Sequence, residues 1–160
     1  MGSSLATRGL SKMASSTLLQ SLDDSSNSIG LTASNRRQTE TFIASEAIAA
    51  NDLVCLDFSK TDDGDKSLYI KKANSSAGAT VGAIGFAIGA AAAGERCIVT
   101  VAGIHQSANV ATLSAGDRLK VSSTGGQAGV YLHTDTVPVL GYACEADSGN
   151  VATVFVIKQF

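Results

Sequence analysis

One short phrase occurs three times in this chain of 160 residues, and it constrains most of what the chain can fold into. Ala50-Asn51-Asp52-Leu53-Val54-Cys55-Leu56 is followed by Ala93-Gly94-Glu95-Arg96-Cys97-Ile98-Val99 and by Ala115-Gly116-Asp117-Arg118-Leu119-Lys120-Val121. Each runs from a small residue through a turn former and an acid into apolar residues. Gly and Asn accept the positive φ of tight turns, and Asp can bond the backbone just ahead of it. The phrase therefore reads as a turn that launches a β-strand. It contains no reaction centre.

Strands can be followed outward from these starts. The sequence predicts them near 39–45, 52–58, 67–73, 80–88, 96–102, 118–122, 128–133, 138–146 and 151–158. Turns stand between them at Asp62-Asp63-Gly64-Asp65, Ala93-Gly94, Ala115-Gly116 and Thr124-Gly125-Gly126. Strands with regular turn signals and few helical stretches predict an all-β fold, a compact sandwich or barrel. Cys97, Val99 and Val101 alternate onto one face, as do Leu119 with Val121 and Val130 with Leu132. The last strand, Val151 to Ile157, is apolar on both faces, so it is expected to be central or covered by a neighbouring subunit.

The first and third phrases head matching series. Each runs from an acid-started strand through a hairpin to a strand with an internal glycine: Ile84-Gly85-Phe86-Ala87 matches Leu140-Gly141-Tyr142-Ala143. A glycine inside a strand marks a bulge or a close backbone approach. The second phrase opens the strand that bridges the two series. The expectation is a duplicated β-motif closing around one core.

Composition limits the chemistry. Apolar residues make up 44% of the chain, enough for a core, but aromatics are 5% and Trp is absent, whereas large pockets usually need more aromatic surface. A net charge of -2 argues against a nucleic-acid partner. Cys55, Cys97 and Cys144 are odd in number and show no C-x-x-C spacing, so they are expected to be free, small and buried. Val81 to Gly89 is uncharged, but it is too short and too rich in Gly to span a membrane as a helix. Residues 1–20 lack the continuous apolar core of a secretory leader, and Ala6 breaks a myristoylation signal at Gly2.

Residues 1–38 read differently from 39–160. They are rich in Ser, and Leu10, Met13, Leu18 and Leu22 allow a short amphipathic helix near 10–22. A disordered tail and an arm that orders on a partner both fit. The number of apolar residues favours the arm. Its candidate interface residues are Leu5, Leu10, Met13, Leu18, Leu22, Ile29, Leu31, Arg36 and Arg37. Val154 and Val156 of the doubly apolar final strand are further candidates for a subunit contact.

Reactive constellations are scarce in the sequence. No P-loop, G-x-G-x-x-G, H-E-x-x-H or G-x-S-x-G occurs. Asp62, Asp63 and Asp65 fail the EF-hand spacing and read as a solvated turn. His105 and His133 are expected at the surface or at strand ends. Asn74-Ser75-Ser76 is a formal glycosylation sequon with no secretory signal to give it meaning. No catalytic residue, metal site or cofactor is expected, and an enzyme is disfavoured.

The ordered set of motifs is similar to that of the small capsid cement proteins of tailed bacteriophages, also called head decoration proteins. It comprises Asn51-Asp52-Leu53-Val54, Val81 to Ala87, Ala92-Ala93-Gly94-Glu95 through Val99-Thr100-Val101-Ala102-Gly103, and Ser114 to Leu119, with Gly141-Tyr142-Ala143 and Val151 to Val154 closing it. The likeness covers residues 39–160. It departs at Asn51, where the pattern prefers Gly. The resemblance implies a structural virion protein, made in the host cytoplasm, that decorates the outer capsid surface and clamps adjacent major capsid subunits. It also implies a homo-oligomer, most often a trimer, with a dimer as the alternative, and neither nucleic acid nor membrane as partner. A competing expectation is a glycan- or receptor-binding β-domain of a tail spike or fibre, which requires a surface cluster of aromatics.

Overall fold

The computed structural model describes residues 37–76 and 82–160. Among them nine strands form in the predicted order: β1 (Arg37–Ala44), β2 (Leu53–Leu56), β3 (Tyr69–Lys72), β4 (Ala83–Ala87), β5 (Arg96–Asn109), β6 (Arg118–Val121), β7 (Ala128–Val130), β8 (Gly141–Ala143) and β9 (Val151–Val156). The fold is all-β, and its first five strands close a barrel. In this barrel β1 pairs with β3 in parallel, and β3–β2, β2–β4, β4–β5 and β5–β1 are antiparallel.

The three turn phrases share one geometry, which explains why they launch strands. Asn51, Gly94 and Gly116 have φ of 69°, 85° and 87°. The following acid then turns its side chain back onto an amide. Asp52 Oδ2 accepts from Ala49 N at 3.0 Å, Glu95 Oε2 from Ala92 N at 3.0 Å, and Asp117 Oδ2 from Ser114 N at 2.7 Å. The loop is stapled from behind, and the next residue leaves in extended conformation.

The duplication is real, and its pairing plan is visible strand by strand. The second set, β5-β9-β8-β6-β7, is antiparallel throughout. It returns to the end of β5 through one parallel bridge, Val110 with Ala128. Thus β2, β3 and β4 of the first half correspond to β6, β7 and β8 of the second. The N-terminal part of β5 corresponds to β9, and β1 to the C-terminal part of β5. Val54 faces Gly85 in the first half as Leu119 faces Gly141 in the second. A Cβ on Gly85 would lie 1.8 Å from the Thr100 carbonyl oxygen, and one on Gly141 would lie 2.0 Å from that of Phe155. Both are close backbone approaches, as the in-strand glycines predict.

Four expectations change. β5 runs for 14 residues rather than stopping at 102, because it serves both halves. A register shift between His105 and Ala108, with Ser107 at φ 63°, bends it where one half passes to the other. There are two cores rather than one. Phe42, Ile48, Val54, Ile70, Ile84, Val99 and Val101 fill the barrel. Leu53, Phe86, Val110, Leu119, Val121, Leu140, Val154 and Val156 fill the second half and its seam with the first. The Asp62–Asp65 turn opens a short helix, α1 (Asp63–Leu68), capped by Asp62 accepting from Gly64 N at 2.8 Å. Finally, Cys55 and Cys97 are buried as expected, but Cys144 is exposed because it lies past the end of β8. Burial pushes the Cys55 thiol up to about 11.

Candidate interaction surface

Two regions could act on a partner or hold the halves together: the seam, and the outward face of the second half. At the seam lies His105, which is buried rather than at the surface. Its ring stacks on Phe86 with centroids 5.3 Å apart. Nε2 lies 3.1 Å from Asn51 Oδ1, and Nδ1 lies 2.9 Å from Thr100 Oγ1. The neutral ring with its proton on Nε2 satisfies both, donating to Asn51 and accepting from Thr100. Burial, with Arg37 adding repulsion, lowers its pKa to about 4. Alongside, Asn109 Nδ2 donates to Asp52 Oδ1 at 3.1 Å, and Gln127 Nε2 donates to the Val110 carbonyl at 3.0 Å. The His105 and Asn109 bonds tie the first turn phrase to the second half, and the Gln127 bond closes the second half on the end of β5. Every buried side-chain polar atom of the seam has a hydrogen-bond partner.

A second polar cluster is also saturated. Burial would raise the Asp57 carboxyl, but Ser59 and Ser45 hydroxyls and the Lys71 ammonium hold it below the usual carboxylate range. Ser59 and Ser45 each donate at 2.7 Å, and Lys71 Nζ lies at 3.3 Å. No group of three or more His, Cys, Asp or Glu among the described residues could hold a metal ion.

The outward face of the second half is different. Arg118 of β6 pairs across with Tyr142 of β8, Tyr142 with Phe155 of β9, and Phe155 with Ile104 of β5. Each is flanked on its own strand by buried neighbours, so all four side chains point outward in one row. Arg118 sits over the Tyr131 ring at 5.8 Å. Nearby, Lys120 is bound by both oxygens of Asp135 at 2.8 Å.

The candidate residues read from the sequence distribute unevenly over this picture. Leu5, Leu10, Met13, Leu18, Leu22, Ile29, Leu31 and Arg36 lie outside the described residues. Arg37 is exposed at the start of β1, paired with Gly103. Val154 and Val156 are core residues, because β9 is central between β5 and β8 and turns them inward. The outward residues of that strand are Val151, Thr153 and Phe155. Period two marks both sets as faces, but in a strand apolar on both sides it does not say which is inside. His133 is exposed in the loop after β7, and Leu132 is exposed because β7 ends at Val130.

No family model and no curated protein matches the chain. Among solved structures the fold is similar to the N base of the head fibre gp8.5 of bacteriophage phi29. The TM-score is 0.50 and the identity 18%, over 76% of this chain and 94% of that one. At that identity the match establishes a shared fold.

Proposed function

We propose that this protein is a structural component of a phage virion, held on the outside of the head, and that it acts by binding rather than catalysis. The observation that carries the reading is the fold shared with nearly the whole of a phage head-fibre base. One further feature supports it: the order of turn-strand motifs over residues 39–160 resembles that of capsid cement proteins.

On this reading the partners are the major capsid protein and further copies of the chain, and no cofactor takes part. Binding free energy comes from apolar area, at about 25 cal/mol per Å² before the cost of lost freedom. Repetition over a shell turns weak sites into strong attachment, and binding only to the assembled lattice stabilises that lattice. The sequence before β1, residues 1–36 rather than 1–38 because Arg37 and Gln38 pair with β5, would supply the apolar arm for a neighbouring subunit.

Two placements fit: a cement protein clamping adjacent capsid subunits, and the base of a fibre. The fibre placement draws on the structural match, the cement placement on the sequence motifs. Copy number separates them on a stained gel of purified virions. A cement protein approaches the major capsid protein in molar amount, whereas a fibre base is scarce. The shared reading is tested by adding purified protein to capsids that lack it. Binding with a raised capsid melting temperature is expected. Absence of binding overturns it.

A further inference from the structure

We propose that the outward row Arg118, Tyr142, Phe155 and Ile104 is the face that docks on the capsid protein, and that the docking site there is an apolar patch bearing a carboxylate set against Arg118. The proposal rests on the capsid-binding reading above and names its contact.

The first argument is internal to the molecule. The same row exists in the first half, where Leu53, Phe86 and Thr100 occupy the places of Arg118, Tyr142 and Phe155. There it is sealed: Phe86 is 1% exposed and Thr100 0%, because the second half packs over them. In the second half Tyr142 is 44% exposed and Phe155 42%. The fold thus uses this row as a packing face once, and presents it a second time with aromatic side chains and no cover from the described residues.

The second argument concerns what would fit. Four strands at about 4.8 Å spacing make the row about 15 Å long and flat, which suits a protein surface better than a small molecule. Tyr and Arg are the side chains that most often dominate protein interfaces. The polar side-chain groups of the row are the Arg118 guanidinium and the Tyr142 hydroxyl. Its one charge is Arg118, which makes no ion pair among the described residues, whereas Lys120 beside it is already neutralised by Asp135. A planar guanidinium held over Tyr131 presents N–H donors in the fork that a carboxylate accepts.

The test is co-sedimentation of purified protein with capsids lacking it, using wild type, the double variant Tyr142→Ser/Phe155→Ser, Arg118→Ala, and Ile98→Ser. Ile98 is an exposed apolar residue further back on β5 and serves as the control. All four substituted side chains point outward, so circular dichroism and melting curves should match wild type. The double variant is expected to lose about 100-fold or more in affinity, and Arg118→Ala about tenfold. Arg118→Ala should also bind with less dependence on salt, while Ile98→Ser binds as wild type does. If wild type binds and the row variants bind equally well, this face is wrong while the capsid reading stands. If wild type does not bind, both fall. If the row variants convert a wild-type oligomer into monomer in the ultracentrifuge, the occupant is a second copy and the proposal is overturned. A wild-type glycan-array signal that the row variants abolish overturns it as well.

Discussion

The two halves of this molecule follow one pairing plan, yet present opposite surfaces at equivalent positions. In the first half the outward side chains of β2 and β4 are Leu53, Cys55 and Phe86, all buried under the second half. In the second half the equivalents are Arg118, Lys120 and Tyr142, polar or amphipathic and reachable by solvent. Backbone geometry is conserved between the halves down to the glycine that lets neighbouring strands touch. What differs is what lies on top. The chemistry of an outward row is thus set by its cover rather than by the strand that carries it.

The comparison can be broken at its most demanding point. Alanine at Gly85 or Gly141 would drive a Cβ into a carbonyl oxygen of the adjacent strand. Each variant is expected to lose about 4 kcal/mol or more, or to fail to fold. Soluble yield and urea denaturation measure this. If one glycine tolerates alanine and the other does not, the halves are less alike than their registers indicate.

Covered and uncovered aromatics come next. Phe86→Ala removes a buried ring from the seam and should cost about 3–5 kcal/mol. Tyr142→Ala, at the equivalent place, should change stability by less than about 0.5 kcal/mol. Equal losses would mean that the outward row of the second half is covered in the isolated protein.

Acid should act on the seam through His105. Its folded pKa, about 4, lies below the ordinary value of 6.5, so the unfolded chain takes up a proton that the folded one resists. Stability from this group is complete above pH 6.5 and is lost as pH falls toward 4, by on the order of 3 kcal/mol. The carboxyls held low, Asp57, Asp135 and Glu145, add their losses below their ordinary values of 3.8 to 4.5. Urea titrations between pH 7 and 5 should show the slope in wild type and its absence in His105→Gln. The same slope in both would remove His105 as the cause.

The smallest contrast lies in the turns. Asp52→Asn weakens a turn bond and the tie to Asn109, and should cost about 2 kcal/mol. Asp117→Asn weakens only its turn bond, in an exposed setting, and should cost about 1 kcal/mol. Chemical denaturation of the two variants side by side orders them.

Much of the strand pattern was legible because its signals are local. Turn phrases bond within four residues, and alternation shows in runs such as Cys97, Val99 and Val101. The matching glycines at 85 and 141 identified the duplication. The length of β5 was not legible: Gly103, His105, Gln106 and Ser107 do not alternate as a strand should, and their place depends on β9 beside them. The burial of His105 was hidden for the same reason, since its partners Asn51 and Phe86 come from far along the chain. The candidate surface was missed outright. Tyr142 and Phe155 stand in short apolar strands, where nothing tells which face will be covered.

Taken by itself, the sequence determined where the chain turns, which segments are strands, and that a β-unit occurs twice. Those features rest on φ preferences and hydrogen bonds between near neighbours. Only the tertiary structure decided that β5 is shared, that the interior divides into two cores, and that Phe86 is sealed while Tyr142 is not. These depend on one half lying against the other, and burial is a property of that contact rather than of any residue within it.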